Sequence, residues 1–542
     1  MEADPCRISL VLEDEAENSR CLRDLQSTDP RADKVRIEES KDTLLKDSYS
    51  WILDDPNFLN WRDNNDTQLL WIKGDPGKGK TMMMIALVAE LSRRLESKPG
   101  SGILSYFFCQ STDPRLNNAV SVLRGLIYLL VNEQKTLIRH LRKRYDTAGS
   151  RLFDDPNALY ALREILLDIL ADSSLARVYL MVDALDECDS NLSQLLDLIA
   201  RNDSKSSSRV KWLVASRNSP DIEKRLRPDG LRLKISLELN SHYISRAVNA
   251  FIDSKVYDLA EYHDYDSELR EEVRSHLCGN AEGTFLWVAL VCKELRRVPP
   301  WETQSALEGF PPGLEPLYER IMDQIQQKND ENTVQLCKKI LSSVTLAFRP
   351  LHLRELGVTA DIPKRISTNL QWLNHLVDLC GSFLTVREET IYFVHQSAKD
   401  YFCSGKGSQI FPLGQAEEHH KIACRSLQVM SDTLRRDICS LQMPGALLDE
   451  LNSVNRDPLV RIRYACCYWV NHLRDASHIS QDQTALCDNG EVHIFLQEHF
   501  LHWLEVLSLL RNISDGVGMV RTLESMLKVS DSIYPCVVLL AN

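Results

Sequence analysis

Residues 69–81, Leu69-Leu-Trp-Ile-Lys-Gly-Asp-Pro-Gly-Lys-Gly-Lys-Thr81, decide the fold of this 542-residue chain. They begin as a short apolar run typical of a buried strand and then break into a glycine-rich turn. Residues 82–91 repeat apolar side chains with the spacing of a helix. The glycines at 74 and 79, with Lys80 and Thr81, fill the pattern GxxxxGK[ST] between a strand and a helix N-terminus. The stretch therefore predicts a loop that binds phosphate groups.

Each residue type in this loop has a separate chemical reason. Glycine lets the backbone adopt conformations that a Cβ would prevent and brings backbone N–H groups against phosphate oxygens. The positive end of the following helix adds to that attraction. Lys80 is expected to reach the β- and γ-phosphates, and the Thr81 hydroxyl to bind Mg²⁺. The expected nucleotide-binding residues are Gly74, Asp75, Pro76, Gly77, Lys78, Gly79, Lys80 and Thr81.

Four more apolar runs of strand length follow the loop, separated by segments with helical periodicity. Strands that alternate with helices predict a parallel sheet of five strands with helices on both faces. Ligands bind at the carboxyl ends of the strands in such sheets, so Lys80, Asp183 and Arg217 are expected to lie together. The four predicted strands are Ile103–Cys109, Val178–Asp183, Val210–Arg217 and Leu231–Leu237.

An acidic group follows the strand that ends at Asp183. This carboxylate suits a Walker B acid, which binds Mg²⁺ directly or through water. Asp186 and Glu187 come just after the strand and are placed to polarise a water against the γ-phosphate, with a solvated acidic turn as the alternative. Arg217, at the tip of the next strand, is expected to stabilise negative charge on the γ-phosphate.

Composition and charge exclude several kinds of protein. The chain is 44% hydrophobic and 26% charged, which is typical of globular proteins. Its net charge of −13 disfavours nucleic acid and anionic membranes as partners. The cysteines include no CxxC pair, which indicates free thiols in a reducing compartment. Apolar runs fall short of the ~20 residues that span a bilayer, and the N-terminus has no secretory signal, so we expect a cytoplasmic protein without a membrane span.

The chain divides into segments at turn-rich boundaries such as 298–300 and 310–314. A short hairpin across Arg387–Glu389, preceded by helices, indicates a winged-helix unit. The predicted segments are a polar arm or remnant of a longer domain (1–35), a helical linker (36–66), the nucleotide domain (67–238), a helical domain (239–310), a winged-helix-like domain (311–410) and a C-terminal helical domain (411–542).

Several of these motifs together resemble the NACHT class of STAND P-loop NTPases. The chain is similar to fungal NACHT proteins of the heterokaryon-incompatibility and NLR-like type over roughly residues 20–510, without visible effector or repeat domains. The resemblance implies a RecA/AAA-like nucleotide domain, slow hydrolysis of ATP to ADP, and a homo-oligomer on activation. The stretches that carry it, besides the loop, are 180–187, 212–217 and 393–402, with similar flanks at 21–30, 44–49, 107–113 and 283–288.

The resemblance also assigns roles to single residues. Asp183, then Ala184 and Asp186-Glu187, match the family's Walker B, in which the first acid binds Mg²⁺ and the later pair serves hydrolysis. Arg217 matches the family's sensor arginine. His395 matches a winged-helix histidine that contacts the β-phosphate of ADP and holds the closed state, whereas the residues alone indicate a core histidine. Gly283 is followed by Thr-Phe, where relatives often have Gly-x-Pro, so the match does not support an adenine contact there.

Three functions stay open at this stage. The leading hypothesis is a molecular switch that ADP keeps closed and ATP opens for self-assembly, with an unknown signalling partner. The alternatives are an NTPase that turns over to do mechanical work, and a non-enzymatic scaffold with a structural nucleotide site. A small GTPase is disfavoured because no [NT]KxD motif occurs, although some relatives accept GTP, which leaves the choice of base open.

Overall fold

The computed structural model describes residues 5–40, 49–200, 209–227, 232–328, 330–441, 457–477 and 490–529. The chain forms two compact units, Met1–Leu317 and Tyr318–Asn542. Within the described ranges, no helix combines the length and the apolarity that crossing a bilayer requires.

A five-stranded parallel sheet forms the centre of the first unit. The strands lie in the order β2-β3-β4-β1-β5, and every neighbouring pair is parallel. β3 and β4 are buried along their whole length, which explains their mostly apolar sequences. The predicted five-stranded parallel sheet is confirmed; Leu231, where the fifth strand was expected to begin, lies outside the described residues. The strands are β1 (Leu69–Lys73), β2 (Ile103–Phe108), β3 (Val178–Asp183), β4 (Val210–Ser216) and β5 (Arg232–Ser236).

Helices cover both faces of this sheet and continue beyond it. One core joins the sheet to the helices between β2 and β4. The helices are α1 (Pro5–Leu25), α2 (Pro30–Ser40), α3 (Ser50–Leu53), α4 (Pro56–Asp63), α5 (Lys80–Glu96), α6 (Ala119–Glu133), α7 (Ile138–Ala148), α8 (Arg151–Asp154), α9 (Ala158–Leu170), α10 (Leu192–Ala200), α11 (Pro220–Arg225), α12 (Ser241–His263), α13 (Ser267–Asn280), α14 (Phe285–Leu295) and α15 (Thr303–Glu308), and α16 (Leu314–Lys328) carries the boundary between the units.

The N-terminal segment was predicted to be a polar arm or the remnant of a longer domain over residues 1–35. Its described part forms α1 and the start of α2. Cys21 and Leu25 are fully buried in the core of the first unit, and Arg124 of α6 donates to the Leu25 carbonyl at 2.7 Å. Asp14 and Glu17 of α1 pair with Arg142 of α7. Because few α1 residues face the core, its apolar periodicity is weak in the sequence.

The described part of the linker predicted over residues 36–66 is mostly helical. α2 ends at Ser40, residues 41–48 lie outside the described residues, and α3 and α4 follow. Asp55 caps α4, accepting from the backbone N–H groups of Asn57 at 2.8 Å and Phe58 at 3.2 Å. The Asp-Asp-Pro-Asn sequence therefore ends one helix and starts the next.

The second unit combines a small antiparallel sheet with helices. Strands β6 (Leu351–His352), β7 (Leu384–Arg387) and β8 (Thr390–Phe393) lie in the order β6-β8-β7, so the predicted hairpin is present. The winged-helix assignment stays a prediction. The helices are α17 (Glu331–Leu346), α18 (Leu353–Thr359), α19 (Lys364–Ser367), α20 (Leu370–Asp378), α21 (Gln396–Cys403), α22 (Gln415–Thr433), α23 (Asp457–Ser477), α24 (Glu491–Leu509) and α25 (Ile513–Val529), the last four sharing one apolar core.

Candidate functional site

The glycine-rich loop between β1 and α5 has a backbone that only glycine adopts easily. Gly77 and Gly79 have φ angles of +78° and +82°, in the region that other L-residues avoid. A Cβ on Gly77 would lie 2.8 Å from the Thr284 Cγ2, and one on Gly79 would lie 3.0 Å from the Phe285 ring. The positive φ angles and the close neighbours both exclude larger residues, as a cradle for phosphate requires.

Lys80 lies at the first position of α5, and its ammonium points back to the loop. Its Nζ donates to the carbonyl oxygens of Gly74 at 2.5 Å and Asp75 at 3.0 Å. Burial lowers the pKa of Lys80, and the negative charges of Asp186 and Asp183 oppose that shift. Those two charges act on Lys80 because the ends of β1 and β3 face the same edge of the sheet. Thr81 follows Lys80 in the first turn of α5.

Asp75 is held by residues from the ends of two other strands. Its backbone N–H donates to the Glu238 Oε1 at 2.7 Å, and the Asn218 Nδ2 donates to its carboxylate at 2.6 Å. The Ser236 hydroxyl donates to the second Glu238 oxygen at 2.9 Å. Sequence reasoning did not single out Asn218 or Glu238. Their positions directly after β4 and β5 were the available signal, because the ends of parallel strands converge.

The acidic residues after β3 have different environments. Asp183 is the last residue of β3 and is only 2% exposed. Ala184 follows with a φ of +53°, a left-handed conformation that costs a non-glycine residue roughly 1–2 kcal/mol. This turn leads into the short 3₁₀ helix Leu185–Glu187. Such a strained residue within a cluster of functional groups is typical of active sites.

Asp186 and Arg217 form an ion pair, with 3.1 Å between Asp186 Oδ2 and Arg217 Nε. The backbone N–H of Arg217 also donates to the other Asp186 oxygen at 2.8 Å. Glu187 instead accepts from the backbone N–H of Ser111 at 3.1 Å. The structure therefore brings together Lys80, Asp183, Asp186 and Arg217; the sequence predicted this for Lys80, Asp183 and Arg217. The catalytic roles of Asp186, Glu187 and Arg217 stay predictions.

His395 lies in the second unit and caps α21. Its backbone is extended and its Nδ1 accepts from the backbone N–H of Ser397 at 3.1 Å. The same nitrogen lies 2.9 Å from the Ser397 hydroxyl, which in turn lies 2.9 Å from the Tyr318 hydroxyl. This arrangement fixes the ring through one nitrogen. The contact of His395 with a nucleotide stays a prediction from the family resemblance.

The segment that departs from the family's Gly-x-Pro pattern packs directly on the phosphate loop. Lys78 Nζ donates to the Glu282 carbonyl at 2.6 Å, and Leu286 N lies 3.5 Å from the Gly77 carbonyl oxygen. Gly283 has a φ of +66°. Residues 282–286 therefore cover one side of the loop without a proline.

The residues at this edge of the sheet fit a magnesium nucleotide. The loop has glycines at positions where a side chain would collide with the neighbouring segment 284–286, and Lys80 supplies a cation. Asp183 supplies a buried carboxylate near that cation, and Thr81 supplies a hydroxyl, which together are the oxygen ligands that Mg²⁺ prefers. Within the described ranges, no group of three or more His, Cys, Asp or Glu side chains is arranged to hold a metal ion, at this edge of the sheet or away from it.

The chain matches a fungal relative over nearly its whole length. It is 47% identical over 523 residues to the vegetative incompatibility protein HET-E-1 of Podospora anserina. The resemblance to fungal NACHT proteins is confirmed. The match covers 94% of this chain but only 38% of HET-E-1, so this chain spans well under half of that relative. Residues 47–217 also match the family model described as Nephrocystin 3, N-terminal.

The solved structures that the chain matches are much more distant. The Aeropyrum pernix ORC2 protein in its ADP form is 11% identical, with a TM-score of 0.30 over 68% of this chain and 94% of that one. The RuvB Holliday junction branch migration motor of Thermotoga maritima is 13% identical, with a TM-score of 0.23 over 66% of this chain and 93% of that one. At these TM-scores neither likeness bears on function.

Proposed function

We propose that this chain is a nucleotide-dependent switch in which the first unit binds ATP or ADP with Mg²⁺ and hydrolyses ATP slowly. The observation that carries the proposal is the position of Lys80, whose ammonium lies between the glycine loop and two carboxylates, Asp183, buried at the end of β3, and Asp186. Bound Mg²⁺ would neutralise charge on the β- and γ-phosphate oxygens. Thr81 and Asp183 would hold the ion, and backbone N–H groups of residues 77–81 would hold the phosphates.

Two groups that hydrolysis needs are engaged within the chain. Lys80 bonds to loop carbonyls, and Arg217 pairs with Asp186. Each group must loosen or share its present partner to act on a phosphate, which supports slow turnover. A site that turns over slowly spends long periods with one nucleotide, as a switch requires.

The biological setting is proposed from the relative. HET-E-1 is a vegetative incompatibility protein, and we propose that this chain acts in a similar fungal signalling response. In this proposal, exchange of ADP for ATP favours an open state that self-assembles, and hydrolysis restores the closed state. His395 would respond to the nucleotide from the second unit. Because a ligand shifts an equilibrium only by its differential affinity, ADP and ATP must favour different states.

The first test measures nucleotide binding. Lys80→Ala should abolish binding of fluorescent ADP and ATP analogues, because it removes the buried ammonium that would bind the phosphates. Lys98→Ala is the matched control, since Lys98 is exposed beyond the far end of α5 and its loss should leave binding unchanged. Binding by Lys80→Ala at the wild-type affinity would refute the proposed site.

The second test separates a switch from the other two functions. A switch should hydrolyse ATP far more slowly than one per second and form oligomers with ATP but not with ADP. His395→Ala should raise oligomer formation with ADP, whereas His375→Ala, an exposed histidine of the same unit, should not. Rapid turnover without a partner would favour mechanical work, and nucleotide-independent assembly would favour a scaffold.

A further inference from the structure

The loop after β2, residues 109–118, is fastened to the acidic loop after β3 at two points. The Ser111 N–H donates to the Glu187 Oε2 at 3.1 Å. Six residues later, the Asn117 Nδ2 donates to the Asp189 Oδ2 at 2.9 Å, and the Asp189 N–H donates back to the Asn117 carbonyl at 2.7 Å. The position of Glu187 therefore depends on a loop that contributes none of the expected phosphate or metal contacts.

This loop also has a tight internal structure. The Gln110 N–H donates to the Leu116 carbonyl at 3.2 Å, and the Leu116 N–H donates to the Asp113 carbonyl at 2.8 Å. At its start, the Cys109 N–H donates to the Asp183 carbonyl at 3.2 Å. Because the loop is closed on itself, a displacement at Gln110 is transmitted to the adjacent Ser111 rather than absorbed along a slack chain.

The N-terminal helix α2 holds the loop at Gln110. The Arg36 guanidinium donates to the Gln110 Oε1 at 2.8 Å, and it pairs with Asp33 of its own helix at 3.1 Å. Pro30, at the start of α2, lies against α6, where its Cγ would be 3.2 Å from a Cβ on Gly125. An unbroken series of contacts therefore joins α2, Arg36, Gln110, Ser111 and Glu187.

We infer that Gln110 and Ser111 are positioning residues for Glu187, and that Arg36 couples the N-terminal helices to the hydrolysis site through them. The inference rests on the proposed function, in which Glu187 orients or activates the attacking water. The Ser111 N–H fixes one carboxylate oxygen of Glu187 and so directs the other. A movement of α1 and α2, such as one caused by a binding event at the N-terminus, would then change the hydrolysis rate without a contact to the nucleotide.

The sign of the effect follows from geometry. A general base acts only when it lies within hydrogen-bond reach of the water, and a misplacement of 1 Å can cost on the order of 10²-fold in rate. Arg36→Ala keeps the bond from the Ser111 N–H to Glu187, but it removes the bond that holds the adjacent Gln110. We therefore expect a smaller loss, about tenfold in the rate of a single turnover, with nucleotide affinity unchanged because no phosphate contact is lost.

The experiment uses the full chain with Arg36→Ala, Gln110→Ala and the double variant. Each single variant should lower the single-turnover rate about tenfold, and the double variant should be no slower than either one, because both remove the same link. Hydrogen–deuterium exchange of the nucleotide-free protein should rise at residues 109–118 in all three. Gln110→Glu keeps an oxygen acceptor for Arg36 and should restore both exchange protection and rate. Lys34→Ala, which breaks an ion pair with Glu38 on the same helix, should change neither.

The outcomes are distinguishable from failure of the proposed function. Faster exchange at residues 109–118 without a rate change in Arg36→Ala and Gln110→Ala would overturn the positioning role. A rate loss matched by an equal loss of affinity, or shared by Lys34→Ala, would overturn it as well. Glu187→Gln is measured beside them: if it slows hydrolysis and the Arg36 variant does not, only this inference fails. If the wild type binds no nucleotide, the proposed function fails, while unchanged exchange in Arg36→Ala would still reject the link.

Discussion

Arg217 is tied to Asp186 by two bonds, one from its guanidinium at 3.1 Å and one from its backbone N–H at 2.8 Å. The pair links the end of β4 to the acidic loop after β3. The arginine charge is thus partly neutralised by a carboxylate at the site where phosphates are expected. Asp186 therefore holds Arg217 in place. If the site hydrolyses ATP as we propose, we expect Glu187 rather than Asp186 to act on the attacking water.

Asp186→Asn should tighten nucleotide binding by roughly fivefold, because a negative charge beside the phosphates is lost while an acceptor for the Arg217 N–H remains. The same variant should slow hydrolysis less than Glu187→Gln. Equilibrium titration with a fluorescent ADP and single-turnover hydrolysis measure the two effects. Asp197→Asn, which removes an exposed partner of Arg225, controls for the change in net charge. Weaker binding by Asp186→Asn would contradict this account.

Gly77→Ala should lower the stability of the protein by more than the strain of its positive φ angle alone. Its φ of +78° and the Thr284 Cγ2 at 2.8 Å from the added Cβ both oppose the methyl group. Gly100→Ala is a matched control, because Gly100 has a φ of +80° with nothing within 4 Å of the added Cβ. We expect Gly100→Ala to lose about 1 kcal/mol of stability, and Gly77→Ala to lose more and to bind nucleotide poorly.

Thermal unfolding and nucleotide titration of both glycine variants check this prediction. Equal losses of stability would show that the neighbours of the loop adjust freely. Wild-type nucleotide affinity in Gly77→Ala would show that the cradle tolerates a side chain.

A pair of histidines, His472 fully buried and His419 half-buried, should make the second unit less stable in mild acid. His419 Nδ1 and His472 Nδ1 lie 2.7 Å apart, and Tyr464 OH lies 2.7 Å from the other His472 nitrogen. Burial holds the pKa of His472 well below its ordinary value of 6.5, and the charge of His419 adds to the shift. Burial also lowers the pKa of His419. Two protonated rings at this distance would repel each other.

Protonation of these histidines lowers the stability of the folded state as the pH falls. The folded state keeps these histidines neutral, whereas the unfolded state takes up protons below about pH 6.5. The stability that the two neutral histidines contribute is therefore fully present above pH 6.5. It is lost as the pH falls from 6.5 toward their pKa values in the folded state. Between pH 7.5 and 5.5 we expect His472 to account for about 1 kcal/mol of lost stability.

Chemical unfolding at several pH values measures this loss. His472→Gln should be less stable at neutral pH and show a flatter pH dependence. His375→Gln, at an exposed position of α20, should keep the wild-type slope. An unchanged slope in His472→Gln would mean that other groups cause the acid sensitivity.

Substitution of Glu355 should lower the stability of the second unit more than most other substitutions there. It is 2% exposed, pairs with Arg349 at 2.6 Å, and accepts from the backbone N–H groups of His352 at 2.9 Å and Tyr464 at 3.1 Å. Glu355→Ala leaves the half-buried Arg349 guanidinium and two backbone N–H groups without this acceptor, which should cost about 3 kcal/mol of stability. Lys339→Ala breaks an ion pair whose side chains are 41% and 64% exposed, and should cost less than about 1 kcal/mol.

The free energy of unfolding of each variant, obtained from urea titration, checks the comparison. Similar values for Glu355→Ala and Lys339→Ala would show that water replaces the lost acceptor at Glu355.

Several features of the fold were predictable because they are local. The glycine spacing and the Lys-Thr pair specify a phosphate loop within 13 residues of sequence, and runs of apolar residues specify the five strands. Convergence of Lys80, Asp183 and Arg217 follows from a general rule of parallel sheets. The helical state of α1 was missed because its few buried residues, such as Leu25, gain their apolar contacts only from helices far along the chain.

The sequence by itself determined the chemistry of this protein: a glycine loop with its lysine, a strand that ends in an acid, and a parallel sheet to bring them together. Tertiary structure alone decided the pairing of Arg217 with Asp186, the support of Asp75 by Glu238, and the link from Arg36 through Gln110 to Glu187. These contacts join residues up to 163 positions apart. The strand order β2-β3-β4-β1-β5 brings the residues at the strand ends into contact, and no local pattern of residues encodes that order.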